Sequence, residues 1–347
     1  MMEAKKQYED DSVAKSMEVG DILAEVGGKC IVSTGLPASY AEQCQTLTSM
    51  KEFQQNSSYL VDFNNGRLGN QLSSFASVYG LSKVTGLRPL LTHRCHTALT
   101  TYFTGVSWPV LERTFCSPCD SLTFQPLPSS PSPQGKIYTP AAAYSNLIPA
   151  YAPILPQLRK TLTFREKFVT AAQEQLRQAR KATQKRNPIY VGVHNRRGDY
   201  GSHMESYGEH LVGPTYFEGA LKLMRNTLED PVFMVVSDDI PWAKKHIAGE
   251  DVFYSTSGTN SSLSVGADLA LLASCNHTII TYGTFGLWGA LLSGGATIMS
   301  TRAKVLQRLL GQAGLSNFVF LDEEEDWRRH QEVVRDIVDA DKDGLNV

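Results

Sequence analysis

The chain has 347 residues, too many for one ordinary core and enough for two domains. Its apolar share of 42% supports a sizeable core, while a formal net charge of -2 excludes non-specific binding of nucleic acid or anionic membranes through a global positive excess. Any anionic ligand must be held by a local cluster of donors and cations.

No apolar run is long enough to span a bilayer, and the polar start, Met1 to Asp21, lacks the basic and apolar regions of a secretory signal. On these grounds the chain reads as soluble. Residues 1–57 show no clean periodicity and are expected to form an arm or stem. Tyr59 to Phe63 is a short strand-like run, and Asn64 to Gln71 reads as a glycine loop. Leu72 to Val84 turns helical and stops at Gly86, and Arg88 to Leu91 reads as the next strand. The Pro/Ser-rich stretch 117–156 excludes long helices and central strands. A basic helical segment, Leu162 to Lys185, has a thin apolar stripe and is expected to lie exposed or to link domains.

From Ile189 onward, strand and helix alternate regularly. Strands are expected at Ile189–Val193, Val232–Val236, Val252–Tyr254, Thr278–Thr281 and Ala296–Met299. Helices are expected at Thr215–Leu228, Ile240–Ile247, Ser264–Cys275 and Phe285–Leu292. A helix and a short strand follow within 301–321, then a charged tail expected to fray. Such alternation demands an α/β fold whose parallel sheet is covered on both faces. Ligands of such sheets sit at the carboxyl ends of the strands. The loops after Val193, Val236 and Tyr282 should therefore converge on one crevice.

Three local patterns carry chemistry. His194-Asn-Arg-Arg-Gly-Asp-Tyr200 follows a strand directly. The forks of Arg196 and Arg197 match a phosphate bidentately and stay charged. Gly198 lets backbone come close, Asp199 can brace one arginine, and His194 can donate to a phosphate oxygen. The bland reading is a solvated basic loop with a local Arg–Asp pair. In Gly66-Arg-Leu-Gly-Asn-Gln71, Arg67 and Asn70 add donors to backbone amides at a helix start. That loop has neither the Lys-Ser/Thr ending of a P-loop nor dinucleotide-fingerprint spacing, which argues against an NTPase or a dehydrogenase. In Gly283-Thr-Phe-Gly286, Thr284 can bind a phosphate through its hydroxyl and its N–H. Asp268, within an apolar helix, either faces water or has a partner, and a guanine offers two N–H donors that suit it. Cys116-Ser-Pro-Cys119 has no second pair to complete a zinc site, so no metal is expected. Of the 6 cysteines, none is required to pair, and sequons stand at Asn56, Asn260 and Asn276.

The block from Asp268 to Gly295 resembles the C-terminal motif of the galactoside α-1,2-fucosyltransferases of blood-group H and Secretor type, glycosyltransferase family eleven. Val191 to Tyr200 resembles their central motif, and Gly66 to Gln71 their N-terminal one. The resemblance implies a GT-B fold, two Rossmann-like domains facing a cleft. The expected division is 1–57 arm or stem, 58–186 acceptor side, 187–322 donor side and 323–347 charged tail. It implies inverting, metal-independent transfer of fucose from GDP-fucose to O2 of a terminal galactose on a glycan, with no cofactor and no nucleic-acid partner. By motif, Arg196 neutralises the departing β-phosphate, with His194 and Arg197 in support. Arg67 and Asn70 reach the donor across the cleft, Asp268 reads guanine, and Thr284 with Phe285 holds the pyrophosphate. Asp199 is the nearest motif carboxylate for the acceptor's proton, with Glu205 and His203 as further candidates. The Asp238-Asp239 pair follows a strand but lacks the spacing of a metal-binding DxD motif. Members of this family usually carry a membrane anchor that places them in the Golgi, and no anchor is visible in this chain. A glycan- or GDP-fucose-binding protein without turnover, or a fucosyltransferase with another acceptor, are the alternatives.

Overall fold

The computed structural model describes residues 58–62, 64, 66–111, 124–126, 137–140, 146–206, 208–258 and 262–342. The expected N-terminal arm, most of the Pro/Ser-rich stretch, Asn56, Asn260, and Cys30, Cys44, Cys116 and Cys119 lie outside the described residues.

The N-terminal unit opens with β1 (Tyr59–Leu60), α1 (Leu68–Thr85), β2 (Arg88–Pro89), β3 (Leu91–Thr92) and α2 (His93–Tyr102). It continues with β4 (Val110–Leu111), β5 (Phe124–Pro126), β6 (Ile137–Thr139), α3 (Ile148–Tyr151), α4 (Leu155–Thr161) and α5 (Glu166–Thr183). Its main sheet is parallel, in the order β2-β1-β6-β5, and β3 pairs with β4 beside it. The strands stay short where Pro89, Pro126 and Pro140 remove ladder donors. Within the Pro-rich stretch, short helices form after all. Pro149 and Pro156 sit in the first turns of α3 and α4, where the missing N–H leaves no bond unmade.

The second unit holds β7 (Ile189–Asn195), α6 (Tyr200–Ser206), α7 (Pro214–Thr227), β8 (Pro231–Ser237), α8 (Ile240–His246) and β9 (Val252–Tyr254). Next come α9 (Ser262–Ala273), β10 (His277–Ile280), α10 (Thr284–Ser293), β11 (Thr297–Ser300), α11 (Lys304–Gln312), β12 (Phe318–Leu321) and α12 (Gln331–Lys342). All six strands are parallel, in the order β12-β11-β10-β7-β8-β9. The chain starts in the middle at β7, builds outward through β8 and β9, then crosses back to build outward from β10. This is doubly wound topology, with its switch point between β7 and β10. The inner strands are apolar because both faces are covered: Val191, Val193, Phe233, Val235 and Ile279 are fully buried.

Three elements differ from the sequence reading. Helix α5, expected to lie exposed or to link domains, stands between the two units but is not an exposed strut: it buries Phe168, Ala172, Gln175 and Ala179 and packs on α9. The tail, expected to fray, forms α12, which sinks Val334 and Val338 and packs on α7. Helix α1 begins at Leu68, so the second half of the expected glycine loop, Leu68–Gln71, is its first turn.

Helix α1 is buried nearly all round, between its own sheet and α10. Small residues make that possible. Ser77 Oγ accepts from Leu147 N at 2.9 Å, and Ser73 Oγ accepts from Trp288 Nε1 at 2.9 Å. A methyl group at Gly69 would lie 2.6 Å from the amide nitrogen of Phe285 and 2.7 Å from Thr284 Oγ1. Gly311 in α11 has no such neighbour within 4 Å. Gly69→Ala is therefore expected to destabilise by about 1–3 kcal/mol through overpacking. Gly311→Ala should be neutral or stabilise by up to about 1 kcal/mol. Thermal and denaturant unfolding of the two variants checks the opposite signs.

Candidate functional site

The pairing register of β7 and β8 builds the centre of the site. Asn195 lies opposite Ser237, and Asn195 Nδ2 donates to Ser237 Oγ at 3.1 Å. One residue further on, Arg196 meets Asp238. Arg196 Nη1 donates to Asp238 Oδ2, and Nη2 donates to Asp199 Oδ1. The other oxygen of Asp238 accepts from the backbone N of Arg197 at 2.8 Å. Gly198 permits this approach, since a methyl there would stand 2.6 Å from Asp238 Oδ2. The loop after β10 closes the third side. Tyr282 stacks on Tyr200 at 4.8 Å with planes 5° apart, and Gly283, at φ 86°, turns the chain into α10. The loops after β7, β8 and β10 thus converge as the topology requires.

The N-terminal unit reaches the same place through the start of α1. Asn64 Oδ1 accepts from Gly66 N at 2.7 Å, and the buried Gln71 donates to the carbonyls of Asn64 and Gly66 at 2.6 and 3.0 Å. This network fixes Arg67, whose Nη2 lies 3.2 Å from Asp199 Oδ2. Thr284 Oγ1 donates to Asn70 Oδ1 at 2.7 Å. Asp199 therefore links arginines from both units. Neither α1 nor α10 has a side-chain cap, so two helix N-termini, each with partial positive charge, open beside Arg196.

The two motif arginines have different surroundings. Arg197 turns away from the carboxylates, lies 3.7 Å from the centroid of Trp242 and donates from Nη1 to Val212 O at 3.0 Å. The Asp238-Asp239 pair is divided likewise. Asp238 serves the arginine loop, while Asp239 caps α8 by accepting from Trp242 N at 3.0 Å. His194 is buried against Phe285, 5.4 Å between ring centroids, and against Gly286. Burial, then the nearby charge of Arg196, brings its imidazole down to about 3. It is uncharged at neutral pH and adds packing, not positive charge, and its Nδ1 has no hydrogen-bond partner among the described residues.

Asp268 lies to one side, beside the loop after β9, which is two strands and so about 10 Å across the sheet from β7. It accepts from Ser255 Oγ. That loop is also bolted to α5, since Thr256 N donates to Gln175 Oε1 at 2.9 Å. Burial raises the Asp268 carboxyl to about 6, against the opposing pull of the Ser255 and Ser257 hydroxyls. Of the other proton-acceptor candidates, His203 stands edge-on to Tyr200 at 4.8 Å and Glu205 is exposed on α6. Asn276 is exposed at the opposite, amino end of β10, where its Oδ1 accepts from Tyr190 N at 2.9 Å.

Sequence reading missed Asp238, Tyr200, Tyr282 and Trp242 as members of this cluster. Aligning the ends of the two predicted strands, Val193 with Val236, would place Asp239 opposite Arg196; the observed register, His194 with Val236, is one residue further along and brings Asp238 there instead. Among the described residues, no group of three or more His, Cys, Asp or Glu is placed to hold a metal ion. Cys95 and Cys275 are buried free thiols. No described helix is long and apolar enough to cross a membrane.

Solved structures similar to this chain include fucosyltransferases. The NodZ α-1,6-fucosyltransferase of Bradyrhizobium, co-crystallised with GDP, has a TM-score of 0.45 at 15% identity, over 70% of this chain and 94% of that one. A point mutant of Arabidopsis thaliana FUT1 in complex with GDP has a TM-score of 0.44 at 14% identity, over 84% of this chain and 81% of that one. In sequence, the chain is 32% identical over 246 residues to a galactoside 2-alpha-L-fucosyltransferase of Mus musculus, covering 67% of this chain and 64% of the relative. It is 32% identical over 241 residues to the galactoside alpha-(1,2)-fucosyltransferase 1 of Homo sapiens, covering 68% and 66%. The chain thus spans about two thirds of the length of the curated relatives it matches. The profile of glycosyl transferase family 11 matches residues 31–306, which is most of the chain, and the chain belongs to that family.

Proposed function

We propose that the chain transfers L-fucose from GDP-fucose to O2 of a terminal β-galactose on a glycan, with inversion and without a metal. The observation that carries this reading is the Arg196 fork, set beside two helix N-termini where both units meet. The relatives' names, galactoside 2-alpha-L-fucosyltransferase, supply donor and acceptor. Golgi placement belongs to the same reading.

Cleaving the bond from fucose C1 to the phosphate oxygen leaves an oxocarbenium-like sugar and a departing GDP. Fixed positive charge at the leaving oxygen lowers that barrier, and a preorganised donor costs no reorganisation during the step. Arg196 supplies this charge. In the proposed exchange it keeps Asp238, which is 26% exposed, and releases the more open Asp199, which is 58% exposed, to make way for phosphate. Asp199 is then placed to take the proton from the attacking hydroxyl. Arg67 and Asn70 complete the phosphate site from the N-terminal unit, with Thr284 and the N–H groups of Thr284 and Phe285 facing them. Asp268 marks the guanine end. The distance from β9 to β7 then lets one nucleotide lie across the carboxyl edge of the sheet.

Incubation with GDP-fucose and β-galactosides in EDTA should yield a 2-linked fucose, identified by NMR. Arg196→Ala should lower kcat by about 100-fold or more. No product from wild type that still binds GDP would replace transfer by binding alone, and product on another hydroxyl would overturn the linkage. Asp199→Asn should lower kcat while leaving GDP affinity unchanged or tighter, since phosphate no longer competes with a carboxylate. A clear loss of GDP affinity in that variant would remove the exchange step.

Acidification tests Asp268. The native carboxyl is raised to about 6, above its unfolded value near 3.9, so the native state binds the proton more readily. Stability should therefore gain from this group as pH falls from about 6 toward 4. Affinity for GDP should move the opposite way, because the protonated carboxyl gives up an acceptor for guanine N–H groups. GDP titrations and thermal melts across pH 5–8 should show the opposite slopes, with both flattened in Asp268→Asn.

A further inference from the structure

Residues 208–213 join α6 to α7 and lie against the arginine loop. One of their carbonyls, that of Val212, orients Arg197 through the 3.0 Å bond from Nη1. The rest of this segment is tied to the far side of the sheet. Glu209 meets Lys304 Nζ at 2.7 Å and Arg302 Nη1 at 3.6 Å. Arg302 Nη1 also donates to His210 O at 3.5 Å, and its Nη2 lies 2.8 Å from Glu323 Oε2. The other oxygen of Glu323 accepts from the backbone N of Gly213. Arg302 and Lys304 follow β11, and Glu323 follows β12. Their charges balance, and the side chains of Arg302, Glu209 and Glu323 are only 15–27% exposed. Partly desolvated, multiply bonded pairs of this kind hold geometry better than open surface pairs do.

We infer that Arg302 and Glu323 are positioning residues for the donor site, acting through residues 208–213 and the Val212 carbonyl to fix the guanidinium of Arg197. Trp242 supports one face of that guanidinium, and stacking alone permits it to slide and rotate over the ring. The carbonyl removes that freedom. Arg197 shares Asp238 with Arg196 through its backbone N–H, so a loosened Arg197 disturbs the carboxylate that holds the phosphate-facing fork. Part of the consequence, weaker GDP binding, rests on the functional reading above. The displacement of Arg197 does not.

The test uses the full chain with Glu323→Gln, Arg302→Gln and the conservative Arg302→Lys. Lys222→Gln removes an exposed ion pair with Glu218 on α7 and serves as the control. Two quantities are read: GDP affinity by calorimetry, and the Trp242 emission, obtained as the difference from the matching Trp242→Phe background. Glu323→Gln and Arg302→Gln should shift the Trp242 component and weaken GDP about tenfold. Arg302→Lys should restore part of both, and Lys222→Gln should leave both unchanged. With Arg197→Lys in the background, Glu323→Gln should cost little further affinity. A folded Glu323→Gln with unchanged Trp242 emission overturns the inference, and so does an affinity loss that adds in full to that of Arg197→Lys. If the wild type binds no GDP, the donor reading fails, while the emission measurement still decides whether these residues position Arg197.

Discussion

The site depends on one constraint: the pairing register of β7 and β8, which stops Arg196 opposite Asp238. With both faces of the sheet covered, a one-residue slip would send every β7 or β8 side chain to the opposite buried face and destroy its packing fit there. The core therefore enforces the geometry of the charges. Each later contact follows from it. Asp238 takes the Arg197 amide, Gly198 leaves room for it, and Asp199 comes round to the second arm of the Arg196 fork. The Arg–Asp pairing is not a competitor to the ligand-binding reading. The exposed half of it, Asp199 with Arg67, is an ion pair of the weak, exchangeable kind.

A second constraint is how closely the two units meet. Helix α1 is the shared element, and only small side chains let it be covered on both sides. Ser73 answers the buried indole N–H of Trp288, and Gly69 lets the start of α10 approach until Thr284 reaches Asn70. The donors of the N-terminal unit are therefore carried on the same helix that forms the packing interface. Any movement that separated the units would break the Asn70–Thr284 and Arg67–Asp199 contacts together.

Much of this was legible in the sequence, and the parts that were not have physical reasons. The alternation from Ile189 to Leu321 announces a parallel sheet because buried strands and amphipathic helices carry different periods. Helices α2 and α6 gave no such signal. Their faces are occupied by His, Thr, Tyr and Glu residues, with few apolar positions to set a period. The N-terminal strands are two or three residues long, too short for any alternation to show. Asp238 and Tyr282, in loops, and Trp242, in α8, lie far from the arginines in the chain, and only the strand order brings them together. Asp268 was identifiable as an acid in an apolar helix, but its Ser255 and Gln175-braced surroundings come from β9 and α5, which no local pattern links.

Two adjacent arginines look interchangeable in a sequence, yet they cannot do the same job here. Arg196 enters the crevice with Asp238 and Asp199, whereas Arg197 leaves it. It does so onto Trp242, a ring held in place because Asp239 caps the helix that carries it. Each doublet thus splits in the same way. Of the two arginines, one faces the site and one anchors the loop; of the two aspartates, one braces arginine and one builds the anchor's platform. In the proposed transfer the anchor matters because a guanidinium delivers charge to a leaving group only if its loop does not yield when the charge develops. A lone arginine at this turn would carry the same charge without the second attachment that holds the turn in place.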